Sequence, residues 1–384
     1  MKKIAAYFLA GCLALSCIYP YDAELDSIEG TLVIEGDILL GNVSSFRLSF
    51  VQPLDEAYGI GGTVPGVVWV EDDKGNVYRA DGTEMNRVDL TEAPADRQYR
   101  LHVSVPMTGK NYVSEWRSPQ MAPIIEDITF EIGETDNPVL RRPDGKARVS
   151  MRAADGASRY FRWDYEEEWM YHALFYIRYF YDPDTGEFMP ETDGDPTYWC
   201  WTKSSSTEAQ IAIAIGDEQN QIKDHVFMNF NTGKDDKFVR KFGVHIIARG
   251  ISEECYQYLH TLEMNSNSSG DLFMPNPSEL RGNILCEEDP DELVLGFIEV
   301  SRSSDRYGFV PNDVGAYRDR GDSDPEALID LPVAEQPEYY AQGWRPIDYV
   351  TPEGGGRYMG WAKPEWCDCR KIGGSTVRPP YWED

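Results

Sequence analysis

Thiols are the groups in this 384-residue chain whose chemistry can be read most directly from position. Seven cysteines are present: Cys12, Cys17, Cys200, Cys255, Cys286, Cys367 and Cys369. A thiol can be acylated, bridged, bound to a metal or used as a nucleophile, and its neighbours separate these fates. Cys12 and Cys17 lie in "KKIAAYFLAGCLALSCIYPYD", where Lys2 and Lys3 form a basic start and Ile4 to Leu15 an apolar or small-residue run. A basic start followed by such a run has the form of a signal peptide. The run is also well short of the roughly 20 apolar residues that span a bilayer.

A leader whose small residue immediately precedes a cysteine resembles those of bacterial lipoproteins, in which that thiol is acylated and becomes the first residue. Both "LAGC" and "ALSC" have this form. The first is the closer match to the cleavage box, but it leaves only Ile4 to Gly11 as the apolar region, near the short end of the usual range. The second gives a fuller apolar region and makes Cys17 the expected lipid attachment site, with Cys12 as the alternative. Residues 1–16 are then a signal peptide and 17–28 a tether, so the membrane partner is reached through acyl chains such as palmitate. Several chains on one cysteine satisfy the two-signal requirement for stable anchoring.

The remaining thiols, Cys200, Cys255, Cys286, Cys367 and Cys369, are candidate disulfide cysteines in an exported compartment. Their odd number leaves at least one unpaired within the chain. Cys367 and Cys369 flank one residue in "WCDCR", too tight for an easy mutual bridge, so each is expected to reach a distant partner. A zinc site is an alternative for the C-x-C pair, but it lacks a second, well-spaced cysteine or histidine pair nearby.

Other reactive groups form no recognisable constellation. The chain has no G-x-S-x-G elbow, H-E-x-x-H helix, phosphate loop or dinucleotide glycine fingerprint, so no catalytic residue, metal ligand or cofactor is assigned. Its five histidines are scattered singly; His102 and His245 fall in strand patterns and His260 in a helical one. With 66 acidic residues, carboxylate pairs arise by chance and none can be singled out. "DPDTGE" (Asp182 to Glu187) begins like a calcium loop, but its glycine comes one residue early, and an ordinary acidic turn is expected. "RGD" (Arg320 to Asp322) is read as a chance tripeptide in a charged stretch. Net charge is −30, or −32 once Lys2 and Lys3 leave with the leader. That field repels nucleic acid and anionic headgroups.

The elements that would position any site are mainly strands. "FRLSF", "YRLHVSV" and "ITFEI" alternate apolar and polar residues, and "VVWVEDDKGNVYRA" adds a hairpin with Asp73 to Asn76 as its turn. Residues 29–122 are thus expected to form an immunoglobulin-like β-sandwich, bounded by Pro119 and Pro123. Residues 123–302 form a second β-rich, sandwich-like domain. Its strands are "RYFRWDYEEEW", "AQIAIAIG" (Ile211, Ile213 and Ile215 on one side), "KFGVHIIARG" and "LVLGFIEVS". "SEECYQYLHTLEMN" is a helix capped by Ser252, with Cys255, Leu259 and Leu262 at helical spacing. "YHALFYIRYFYD" fits strand or helix equally. Residues 303–384 lose periodicity and form an irregular tail packed on the second domain, stapled by Cys367 or Cys369. Ten tryptophans and 23 tyrosines are enough for a ligand platform, although Trp69 and Trp163, in alternating strands, are expected in sandwich cores. Trp199 and Trp201, flanking Cys200, are expected to pack around a disulfide.

One stretch, "LFMPNPSELRGNILCEEDPDELVLGF" (Leu272 to Phe297), resembles a family of Bacteroidota lipoproteins, the domain of unknown function 4249. "LVIEGDI", "YFRWDYEEEW", "CW" at Cys200 and Trp201, and "CDCRKIGGSTVRPPYW" occur in the matching order. In "PNPSELRGN", Pro275 and Pro277 are expected to fix the backbone and Gly282 to permit a tight turn. The resemblance implies an outer-membrane lipoprotein, often encoded beside a TonB-dependent receptor, without established activity. The expected role is a non-enzymatic, surface-exposed accessory of such a receptor that captures a peptide or glycan. The alternatives are a structural or adhesive surface module and a carboxylate- or metal-dependent hydrolase.

Overall fold

Alternating apolar residues, rather than helical runs, organise the folded chain. The computed structural model describes residues 30–51, 63–80, 86–133, 144–204, 210–231, 236–238, 240–267, 280–311, 328–352 and 354–382. Cys12, Cys17, Pro275, Pro277 and the RGD tripeptide lie outside them. The first region forms β1 (Leu32–Glu35), β2 (Ile38–Leu40), β3 (Val43–Ser45), β4 (Arg47–Phe50), β5 (Val67–Asp72), β6 (Val77–Arg79), β7 (Arg87–Asp89), β8 (Tyr99–Val105) and β9 (Lys110–Ser114). The middle adds β10 (Ile124–Ile132), β11 (Asp144–Arg152), β12 (Tyr160–His172), β13 (Tyr179–Tyr181), β14 (Phe188–Pro190), β15 (Trp199–Lys203), β16 (Gln210–Ile215), β17 (Gln221–Asn231) and β18 (Lys241–Ile251). Helix α1 (Glu253–Asn267) precedes β19 (Ile284–Cys286), β20 (Val294–Leu295) and β21 (Val300–Phe309). The tail carries β22 (Ile329–Asp330), α2 (Gln336–Ala341), β23 (Arg345–Val350), β24 (Tyr358–Ala362) and α3 (Pro364–Cys367).

The first sandwich sets the sheet β20-β1-β4 against the sheet β19-β9-β8-β5-β6. Ile34 and Leu48 on one side meet Val68, Val70, Leu101 and Val103 on the other in one core. Each such side chain stabilises the fold by roughly 1.5–3 kcal/mol on full burial. Strand β8 buries every second residue, as its sequence requires. Trp69 departs from expectation. In β5 the buried positions are Val68, Val70 and Asp72, which turns Trp69 to the outer face, where it stacks on His102.

The second sandwich pairs β10-β11-β17 with β15-β12-β18-β21-β2, and β16 joins β12 beside β15. Its core includes Val149, Met151, Phe161, Val244 and Ile246, with Trp163 fully buried among them. In β16 Ala214 packs against the core while Ile215 is exposed.

The two sandwiches interlock instead of following one another. Strand β2 pairs in parallel with β21 and extends the second sandwich, while β19 and β20 return to pair with β9 and β1 of the first. The stretch 123–302 is therefore divided between two cores, with Ile284, Val294 and Ile298 packed in the first. "LVLGFIEVS" accordingly forms two strands, separated by a segment that contains Gly296 at φ +134°. Gly282 is not needed for a turn, since its backbone lies outside the left-handed region. It is needed for close approach: a Cβ there would overlap the Gly296 carbonyl, and one on Gly296 would overlap that of Ile34.

Helix α1 begins as its sequence predicts, with the Cys255 amide donating to Ser252 Oγ at 3.2 Å. Only Cys255 of its apolar stripe is buried; Leu262 is exposed. The ambiguous aromatic run is neither one strand nor a helix: β12 ends at His172 and a short β13 follows an irregular link. The irregular tail contains the small sheet β22-β24-β23, and its last described residues lie on the second sandwich, Tyr381 stacking on Tyr307 and Trp382 meeting Phe309 edge-on.

Candidate functional site

A cleft of about 460 Å³ opens between the β13–β14 hairpin and the tail. Ile177, Tyr179, Phe180, Glu191, Asp195 and Thr197 form one wall, and Tyr340, Gln342, Arg345, Cys367, Asp368, Arg370 and Lys371 the other. Both walls rest on apolar clusters. Tyr181, Met359 and Trp361 pack behind the hairpin, and Phe175, Ile347 and Ala362 pack beneath the tail. The "DPDTGE" stretch is the tip of the hairpin: Asp182 Oδ1 accepts from the Asp184 amide at 2.9 Å, so that carboxylate closes its own turn.

The polar groups of the cleft are held in place. Arg370 donates through Nε to Asp368 Oδ1 at 2.8 Å and through Nη2 to Oδ2 at 2.7 Å, and this fork holds the Asp368 carboxyl below its usual range. Arg345 lies 4.5 Å over the Tyr340 ring and donates to the Trp344 carbonyl at 2.8 Å. Asp195 accepts from the Ile177 amide at 2.9 Å and from Thr197 Oγ1 at 2.6 Å. Phe180 stands at 48% exposure, with Tyr340 edge-on at 6.2 Å. The Cys367 thiol donates to the Lys363 carbonyl, and burial pushes its pKa up to about 12, so it is no nucleophile near neutrality. Among the described residues no histidine lines the cleft. Aromatic faces with a few oriented polar groups suit binding.

Of the five candidate disulfide cysteines, Cys200 and Cys369 are joined. This bond ties the tail to β15, with Trp201 and Ser375 exchanging backbone hydrogen bonds beside it. Cys255, Cys286 and Cys367 are corrected to buried free thiols. Burial raises all three thiol pKa values. Cys367 lies within two residues of the bridge, yet packs beside Phe175 and Ile347 instead of reaching a partner. The histidines serve locally. His102 bonds Glu71 at 2.9 Å, His245 bonds Asp305 at 3.0 Å, and His260 stacks on Tyr256. Among the described residues no group of three His, Cys, Asp or Glu side chains is placed to hold a metal ion. No helix among them is long and apolar enough to cross a membrane.

The sequence motifs converge elsewhere, at the junction of the sandwiches. Asp37 of "LVIEGDI" accepts through Oδ2 from Arg162 at 2.9 Å and from Arg249 at 2.7 Å, and Arg249 also pairs with Asp164. Arg162 and Asp164 belong to "YFRWDYEEEW". Glu299, fully buried, accepts from the Ser252 amide at 2.8 Å and so ties β21 to the start of α1. This cluster is enclosed and carries charge complementarity, not access. The cleft residues, by contrast, carry no pattern linking 177–197 with 340–371; the aromatic run before Asp182 and the "CDCRK" stretch (Cys367 to Lys371) are their visible signs.

A family model described as Domain of unknown function (DUF4249) matches residues 18–306. No curated protein matches the chain.

Proposed function

We propose, from the premise that this chain belongs to the family described as Domain of unknown function (DUF4249), that it is an outer-membrane lipoprotein of Bacteroidota that captures a ligand for a TonB-dependent receptor. Acylation at Cys17 holds it to the membrane, and the folded body faces the cell surface. The observation that carries the reading is the position of the cleft. In the sheet β15-β12-β18-β21-β2, four strand intervals separate β2, which follows β1 in the chain, from β15, next to the cleft. At the usual strand spacing that is about 19 Å. A cleft at the edge of this sheet opposite β2 supports a ligand site that a partner receptor can reach.

The test is a C-terminal tag after Asp384 followed by gentle extraction of the outer membrane. Stoichiometric recovery of a TonB-dependent receptor is the expected result. A receptor that binds and imports its substrate equally well without this protein would refute the accessory role. Release of the protein by Cys17→Ser, but not by Cys12→Ser, would support the anchor.

A further inference from the structure

We infer that the cleft takes a neutral oligosaccharide with Phe180 as its stacking platform, an assignment that rests on the cleft being the ligand site. One face of a pyranose ring presents C–H groups that stack on an exposed aromatic ring, while its hydroxyls both donate and accept hydrogen bonds. Phe180 offers such a ring: it is 48% exposed and supported by Tyr340 edge-on at 6.2 Å. Planar polar groups stand close by and are already ordered. Asp368 and Arg370 are locked in a two-bond fork, and Arg345 is stacked over Tyr340. Groups fixed before binding orient a ligand without a further ordering cost.

Charge decides the class. The cleft carries Glu191, Asp195 and Asp368 against Arg345, Arg370 and Lys371, a local balance of zero in a chain of −30. The overall field opposes the approach of an anionic glycan or acidic peptide. Exposed Arg370 and Lys371 oppose a cationic ligand at short range. A neutral polyol meets neither barrier. An extended peptide recognised through its main chain needs an open strand edge. The strand in this wall, β13, is only three residues long, so it offers a peptide few main-chain hydrogen bonds.

Native affinity electrophoresis of the full lipidated chain in detergent, through gels carrying xylan, galactomannan, mixed-linkage β-glucan, α-mannan or starch, tests the assignment. Polygalacturonate gels and titration with a tryptic casein digest supply the anionic and peptide arms. The expected result is retardation in at least one neutral polysaccharide that persists at high salt. Phe180→Ala should weaken it about tenfold and Phe180→Tyr restore it. Phe180-dependent binding of polygalacturonate or of the digest alone would overturn the neutral-glycan class while keeping the cleft as the site. Neutral-glycan binding indifferent to both Phe180→Ala and Lys371→Ala would overturn the cleft itself. No retardation in any neutral gel would overturn the glycan assignment.

Discussion

Arg249, near the end of β18 in the second sandwich, places Nη1 2.7 Å from Oδ2 of Asp37, in the turn that leaves the first strand. Both side chains are more than nine-tenths buried, and the pair fixes one sandwich against the other. Breaking a buried pair leaves a charge without compensation, at about 3–5 kcal/mol. Asp37→Ala should therefore lower unfolding stability by that amount in urea titration. The double variant Asp37→Leu/Arg249→Met should recover part of it, because both desolvation penalties disappear together. Strictly additive losses would show that the pair does not act as a unit.

The Cys200–Cys369 bridge closes a loop of 169 residues, and its removal should cost about 2–5 kcal/mol. The effect should be local to the cleft. Cys369→Ala should expose the tail beyond Trp344 to limited proteolysis and leave the first sandwich intact. Unchanged cleavage of the tail would mean that apolar packing holds the tail by itself.

Gly296 sits at φ +134°, with the Ile34 carbonyl in the place of any Cβ. Gly296→Ala combines a strained backbone with a main-chain clash, and should destabilise by about 3 kcal/mol or more. Gly75, at φ +83° in an open turn, provides the control. Gly75→Ala should cost clearly less in the same thermal melt. Equal shifts in Tm would show that the backbone conformation alone matters.

Two buried carboxylates should titrate with opposite signs. Burial raises the Asp72 carboxyl, but hydrogen bonds from Asn76, Arg97 and the Lys74 amide outweigh it and hold the pKa well below the usual range. Its contribution is present above the unfolded value of about 3.9 and is lost as pH falls towards the folded one. Burial raises Glu299, and the hydrogen bonds from Ser252 do not fully offset it. Its contribution is complete below the unfolded value of about 4.3 and is lost as pH rises through the folded one. Denaturation midpoints from about pH 3 to 7 should thus show wild type gaining on Asp72→Asn with rising pH, and losing ground to Glu299→Gln. Parallel pH profiles would remove either group from this account.

Several elements were legible because their cause is local. "YRLHVSV" alternates, and the strand it forms buries Tyr99, Leu101, Val103 and Val105. Ser252 caps the helix that follows it, because its hydroxyl need reach only three residues along the chain. In "AQIAIAIG", alternation gives two faces but not which one is covered. Ala214 packs against the second core, while Ile215 stays outside.

By itself the sequence determined the β-rich class, the family resemblance and the expectation of a tethered leader, all of which rest on neighbouring residues or their order. Only the tertiary structure decided that β19 and β20 return to the first core, that Cys369 and not Cys367 meets Cys200, and that Phe180 faces Tyr340 across a cleft. Those outcomes depend on which distant surfaces bury the most apolar area without leaving charges unpaired. That choice is made by the whole packed chain, and no local pattern records it.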